Sequence, residues 1–226
     1  MMQSSNSVRQ DVSGAVAGRT SDFSAPLAGV TAGRMEFHRG ASWMTIGGAS
    51  MDELFRAHFE GPEPEVAVDG GIVVIRSAGL TAADWTTFAW LWEDRGADIA
   101  LNGSVPWDLL VRGGVSRLDA DLSGIRLTGL EIRGGASNVA LDLGEPTGVV
   151  PIRVRGGVSH VTIRRPAAVP VGASVRGGIS RLTLDDQRFG ALGGQTRVTT
   201  GAWRQAASGY DIEIAGGASH LTVEPR

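Results

Sequence analysis

The stretch VRGGVSRLDADL, residues 111–122, decides the fold because its central motif recurs along the chain. Successive copies begin 21, 22, 21 and 39 residues apart, so the last interval is close to two periods. A fixed period of this length is typical of repeat architectures, and we expect GGQTRVTTGAW to form an imperfect coil within the long interval. The copies are RGGVS at 112–116, RGGAS at 133–137, RGGVS at 155–159, RGGIS at 176–180 and AGGAS at 215–219.

Apolar residues alternate on both sides of each Gly-Gly pair, as in Leu130 and Ile132 before one pair and Val139 and Leu141 after it. A period of two is typical of β-strands with one buried face. The alternation changes phase across the serine of every copy, which a flat strand cannot do while its apolar side chains stay on one side. We therefore predict a bend at Gly-Gly-[Ala/Val/Ile]-Ser, where glycine permits a positive φ or a close backbone approach.

Stacked units of this kind predict an all-β, single-domain β-solenoid with about 21 residues per rung. Residues 99–226 hold the regular rungs and residues 35–98 form degenerate capping rungs. Residues 1–34 are rich in Ser, Gly and Ala and are expected to form a poorly ordered tail.

The capping region contains two features that depart from the repeat. HRGASWMTI at 38–46 matches RGGASNVAL with one glycine deleted. SMDELFRAHFEG at 50–61 predicts a short helix over the open end of the solenoid, because Ser50 is a suitable N-cap and Glu53 follows three residues later.

Composition and charge exclude several classes of function. The 226 residues carry a net charge of −3 with both signs interspersed, which gives no electrostatic case for binding nucleic acid or an anionic membrane surface. The absence of cysteine excludes disulfides and thiolate metal sites. No apolar run is long enough to cross a bilayer or to serve as a signal peptide, so we expect a cytoplasmic protein without direct membrane insertion.

The search for catalytic chemistry favours structural interpretations. The corner serine occupies the same position in five copies, whereas a nucleophile is normally one residue with one oriented base. Asp119 with Asp121, and Asp185 with Asp186, could form carboxylate pairs, but no histidine or aromatic platform is grouped with them. We predict no catalytic residue and no cofactor, and the protein is not expected to be an enzyme.

The four histidines are scattered along the sequence. His160 and His220 share the position after the corner serine, but the repeat predicts that they lie about three rungs apart, too far to share a metal ion. We therefore predict no metal site.

Two groups of residues are candidates for binding a partner. Four arginines precede the glycine corners and should stack on the outer face, where they either bind an anionic partner or are balanced by nearby acidic residues, with Ala215 ending the column. TAADWTTFAWLWEDRG at 81–96 fits either a helix or a strand, and its tryptophans form either end-cap core or an exposed aromatic surface. The candidate residues are Arg112, Arg133, Arg155, Arg176, Trp85, Trp90 and Trp92.

Three segments together resemble the bacterial toastrack β-solenoid domains, which include an uncharacterised adhesin group and the C-terminal domain of LiaF-type envelope-stress regulators. They are ALNGSVPWDLLVRGGVSRLDADLSGIRLTGLEIRGGASNVALDL, RVRGGVSHVTIRRPAAVP and YDIEIAGGASHLTV. The resemblance covers about residues 66–226, with a looser fit from about residue 35. It implies a β-solenoid without known enzymatic activity, used as an interaction or regulatory module, and it supplies no catalytic residues. Many relatives carry the domain after transmembrane helices, whereas here we expect a free-standing domain.

The leading functional hypothesis is a non-enzymatic interaction or regulatory scaffold that binds a protein partner, with a link to envelope or stress response. The alternative is a carbohydrate-binding or polysaccharide-active β-solenoid. A third hypothesis is homo-oligomerisation through the exposed solenoid ends.

Overall fold

The computed structural model describes residues 13–17, 20–76 and 96–226, and these residues form one 18-stranded sheet. Apart from a 3-10 turn at Trp203–Gln205, the described residues contain no helix, and therefore none that could span a membrane. The strands are β1 (Ser13–Ala17), β2 (Thr20–Pro26), β3 (Gly33–His38), β4 (Ala41–Ala49), β5 (Glu53–Glu60), β6 (Glu65–Asp69), β7 (Ile72–Arg76), β8 (Gly96–Asn102), β9 (Pro106–Arg112), β10 (Val115–Leu122), β11 (Arg126–Arg133), β12 (Ala136–Leu143), β13 (Val149–Arg155), β14 (Val158–Arg165), β15 (Val171–Leu184), β16 (Gln187–Phe189), β17 (Leu192–Thr199) and β18 (Gly209–Pro225).

Each rung has two arms that meet at the glycine corner. We call the strand before the corner the leading arm and the strand after it the trailing arm; β15 and β18 each run through the corner as one long strand. Leading arms pair in parallel in the order β7, β3, β9, β11, β13, β18, β15. Trailing arms pair in parallel in the order β8, β4, β10, β12, β14, β18, β15. The predicted repeat of stacked two-arm units is therefore confirmed.

The core is the interior of this stack, where residues of the same repeat position lie directly above one another. One such row lies two residues before the first corner glycine in the regular rungs. Each of its members is at most 1% exposed, so the alternation seen in the sequence corresponds to a continuous apolar interior. The row is Phe37, Val111, Ile132, Val154, Ile214 and Val175.

The glycine corners have the predicted geometry. The first glycine of each pair has a positive φ, for example 134° at Gly134, and a Cβ there would lie 2.5 Å from the carbonyl oxygen of Gly113 in the next rung. Both reasons for glycine, backbone conformation and close approach, therefore apply at the same residue. In the first rung Arg39 takes this position with φ 78°, so HRGASWMTI contains a substitution rather than the predicted glycine deletion.

The predicted helix at residues 50–61 is wrong, because this segment forms β5. β5 is a central strand that pairs antiparallel with β2 on one side and β8 on the other. Phe55, Ala57 and Phe59 alternate along it and are buried, so burial of this face outweighs the helical tendency of the surrounding sequence.

The predicted tail is too long. β2 pairs with β5, and Phe23 packs edge-on against Phe59 with 5.9 Å between the ring centroids. β1 pairs antiparallel with β2, so the sheet extends to Ser13, well inside the segment assigned to the tail.

The rungs do not stack in sequence order. β18 lies between the rung of β13 and β14 and the rung of β15, although β15 precedes it in the chain. The expected imperfect coil at residues 193–203 is also wrong, because β17 pairs antiparallel with the outer side of β15. The other end has a similar arrangement, in which β3 lies between β7 and β9 and β4 lies between β8 and β10.

Candidate interaction surface

The arginines that precede the glycine corners form a column on the outer face of the leading arms. Ala215 does not end this column as predicted, because the insertion of β18 places Ala215 between Arg155 and Arg176. His38 and Arg76 extend the column at its other end. The repeat motif does not identify these two residues, because His38 replaces the arginine in a degenerate rung and no Gly-Gly pair follows Arg76. The arginine column, in spatial order, is Arg76, His38, Arg112, Arg133, Arg155, Ala215 and Arg176.

Glutamates two residues before the column positions 133 and 215 neutralise part of this column. Glu131 lies 2.8 Å from Nε of Arg133 and 3.2 Å from Nε of Arg155. The hydrogen bond from Arg133 holds the pKa of Glu131 below its usual value. Glu213 lies 3.3 Å from Nη1 of Arg176 and 3.8 Å from Nε of Arg153. Each glutamate is shared between two arginines, so guanidinium donors remain available on the outer face.

Arg112 differs from the other arginines of the column. Its guanidinium forms no hydrogen bond or ion pair within the described ranges, and its Nε is buried without an acceptor. Leu110 occupies the position that Glu131 takes in the next rung, and this leucine is buried in the protein. Glu36 supplies only a longer-range attraction, since it bonds to Arg34 and His38 instead. Arg112 is therefore the least neutralised charge near the middle of the column.

The stacked histidines correct a prediction about distance. His160 and His220 are direct neighbours rather than about three rungs apart, because β18 pairs with β14. Their rings stack with centroids 4.9 Å apart and planes 4° apart. Lone pairs of parallel rings do not converge on one ion, and the described part of the chain contains no group of three or more potential metal-ligating side chains.

Three of the four aspartates considered as catalytic pairs have structural contacts. Asp119 pairs with Arg117 at 3.0 Å. Asp121 accepts hydrogen bonds from Oγ and the backbone amide of Ser123 at 2.6 and 3.1 Å, and the hydroxyl contact lowers its pKa most. Asp185 binds Arg165 through both carboxylate oxygens. Three of the four aspartates are therefore held by neighbouring arginine or serine groups.

Asn102 and Trp107 are buried near the turn between β8 and β9. Asn102 begins Asn102-Gly103-Ser104, which has the form of a glycosylation sequon, but it is 2% exposed and its amide nitrogen donates to the carbonyl oxygens of Met51 and Glu53, so it is unavailable to a glycan in this fold. Trp107 is fully buried and donates from Nε1 to the carbonyl oxygen of Asn102 at 2.9 Å. The candidates Trp85, Trp90 and Trp92 lie outside the described residues.

Parallel two-arm rungs with glycine corners define the class of the protein as a β-solenoid. A family model described as the N-terminal domain of toast_rack, DUF2154, matches residues 12–164, which is more than half of the chain. The chain belongs to this toast-rack family, and the resemblance found in the sequence is confirmed.

A solved structure supports the fold. A "putative cell adhesion protein" from Clostridium sporogenes ATCC 15579 is 18% identical with a TM-score of 0.69, over 96% of this chain and 100% of that one. A "putative adhesin" from Bacteroides fragilis NCTC 9343 covers 96% of this chain and 97% of its own, with 8% identity and a TM-score of 0.33. At 18% identity the likeness to the Clostridium structure concerns the fold alone. No curated protein sequence matches the chain significantly.

Proposed function

We propose that this protein is a non-enzymatic interaction module that binds an acidic surface of a protein partner through the arginine column. The observation that carries the proposal is the state of Arg112, which is partly buried and has no counter-charge within hydrogen-bonding distance among the described residues. A carboxylate or phosphate supplied by a partner would satisfy this guanidinium with charge-assisted hydrogen bonds.

The spacing of the column supports recognition of several anionic groups at once. Arg112, Arg133 and Arg155 are consecutive in register, so their backbones lie about 4.8 Å apart. Guanidinium groups can bind carboxylates in a bidentate manner, and a rigid sheet holds them at fixed separations. Because the sheet fixes this backbone before a partner arrives, binding requires little reordering of the surface.

Charge reversal tests the proposed surface. We expect a protein captured from the native host by the wild type to be lost with Arg112→Glu/Arg133→Glu, and its retention to weaken as salt concentration rises. The matched control is Arg117→Glu/Arg181→Glu, which reverses two exposed arginines on the trailing arms. Capture of the same proteins by the column variant and the wild type would overturn the proposal.

The tryptophan-rich segment is the second proposed contact. Trp90→Ala/Trp92→Ala in the same capture experiment separates it from the arginine column, since only the variant at the true contact loses the partner. The cytoplasmic location and the link to envelope stress also belong to this proposal. Fractionation of host cells and the identity of the captured partner test them.

A further inference from the structure

The position of β18 in the stack suggests how two copies of the chain could associate. Every ladder partner of β18 is distant in sequence: β13 and β14 lie on one side and β15 on the other. The start of β18 is held by both neighbours, since the amide of Gly209 donates to the carbonyl oxygen of Gly148 and the amide of Tyr210 donates to that of Pro170. β18 thus fills an internal slot whose two walls are formed by earlier parts of the chain.

The slot has strict requirements for the strand that fills it. Ile212, Ile214 and Val223 are fully buried in it. At the corner, a Cβ on Gly216 would lie 2.4 Å from the carbonyl oxygen of Gly156, so the occupant needs glycine there. The occupant must therefore combine alternating aliphatic residues with a glycine corner, a pattern that the same strand of a second copy reproduces in full.

The connection that leads into β18 is held to β15 by the pairing of β17 and by hydrogen bonds between Thr200 and Val171, whereas residues 201–208 form no strand. None of residues 185–208, which link β15 to β18, is buried. The last part, residues 200–208, forms a loop with a single 3-10 turn and no buried residue. Nine residues can span about 30 Å when extended. Segments with few buried apolar contacts open at low free-energy cost, so this loop can act as a hinge.

We propose that two copies of this chain associate by exchanging β18, each inserting Gly209–Pro225 into the slot between β14 and β15 of the other. Exchange preserves the pairings of β18 and changes only the path of the hinge loop. Since two copies must meet, the fraction of exchanged dimer rises with protein concentration. Because these pairings are preserved, the arginine column keeps its order, with Ala215 and Glu213 then supplied by the second copy.

Cysteine pairs test the exchange directly, because the natural chain contains no cysteine. His160 and His220 are in register on β14 and β18, and parallel neighbours about 4.8 Å apart are within the range of a disulfide. A His160→Cys chain and a His220→Cys chain are refolded together at high concentration, oxidised and mapped by mass spectrometry. Exchange predicts a 160–220 disulfide that joins two chains.

The control pair is Arg117→Cys with Asn138→Cys, which occupies the same repeat position on β10 and β12, away from the exchanged strand. We expect the interchain 160–220 product to exceed the interchain 117–138 product several-fold. Equal yields of the two products would overturn the proposal. The double variant His160→Cys/His220→Cys should close an intrachain disulfide at low concentration, and failure to do so would overturn the slot itself.

Discussion

Arg165 and Asp185 form an ion pair that reaches across the end of β18. Nη2 of Arg165 donates to the two carboxylate oxygens of Asp185 at 2.6 and 2.7 Å, and Nη1 donates to the carbonyl oxygens of Pro166 and Ala167. Arg165 ends β14 and Asp185 follows β15, so the pair connects the two rungs that β18 separates. The side chain of Arg165 is 2% exposed and that of Asp185 is 30% exposed, so a buried guanidinium pairs with a partly exposed carboxylate at the end of the stack.

Removing the carboxylate should destabilise the protein more than removing the arginine. Asp185→Asn leaves a buried guanidinium without a counter-charge, and we expect the free energy of unfolding to fall by about 3 kcal/mol. Arg165→Met removes the buried charge itself and should cost less, below about 2 kcal/mol. Asparagine tolerates the φ of 54° at residue 185, so backbone strain does not contribute to the loss of stability expected for Asp185→Asn. Denaturant unfolding measures both values, and equal losses would contradict this account of the pair.

The two glycines of one corner should differ in their tolerance of alanine. Gly134→Ala places a methyl group 2.5 Å from the carbonyl oxygen of Gly113 at a φ of 134°, and we expect a loss of about 2–4 kcal/mol. Gly135→Ala is the control, since its Cβ would meet nothing closer than 3.8 Å, and its effect should stay within about 1 kcal/mol. Thermal unfolding of both variants tests the packing at the corner. An unfolding free energy of Gly134→Ala equal to that of the wild type would show that the corner is not tightly packed.

Tyr210 should titrate well above an ordinary tyrosine. Burial raises its pKa to about 12, and its hydroxyl donates to the carbonyl oxygen of Gly144 at 2.9 Å. Because the pKa is raised in the folded state, this contribution to stability is fully present below about pH 10 and is lost as the pH rises towards 12. Tyr210 is the chain's single tyrosine, so absorbance of tyrosinate reports it alone. A folded-state midpoint near 10 would contradict its burial.

Glu131 should contribute to the acid sensitivity of the fold. Since the hydrogen bond from Arg133 lowers its pKa below 4.5, its contribution to stability is present above about pH 4.5 and is lost as the pH falls through the folded-state pKa. Glu131→Gln should therefore flatten the dependence of the unfolding free energy on pH between about 5 and 3. The same variant frees two arginines of the column and should bind the acidic partner more tightly at neutral pH. An unchanged pH profile would show that the ion pair does not form in solution.

The repeat and its corners could be predicted because each is local in the sequence. Alternation on both sides of Gly-Gly identifies the two arms, and four corner arginines follow from the same register. The order of the rungs could not be predicted, because the repeats have equivalent apolar patterns and any two of them can pair. The neighbours of His160 and Ala215 depend on that order. The predicted distance from His160 to His220 and the predicted position of Ala215 at the end of the column were therefore wrong.

The structure of the degenerate rungs was difficult to predict for a different reason. In β5 the residues Phe55, Ala57 and Phe59 fit a strand, but the preceding serine and glutamate also fit the start of a helix. The pairing of β5 with β2 and β8 resolves this ambiguity, and such long-range pairing is not visible in a local pattern. His38 and Arg76 were missed as members of the arginine column because their corners lack the full motif.

The order of the last three rungs is the claim on which the column, the ion pair and the slot all depend. Intrachain disulfide formation at positions 160, 181 and 220 tests it most directly. His220 is in register with both His160 and Arg181, whereas positions 160 and 181 are two strands apart, about 9.6 Å and beyond the reach of a disulfide. We predict that His160→Cys/His220→Cys and Arg181→Cys/His220→Cys close readily and that His160→Cys/Arg181→Cys does not. Rapid closure of the 160–181 pair, with the 160–220 pair remaining open, would mean that the rungs stack in sequence order and would contradict the account.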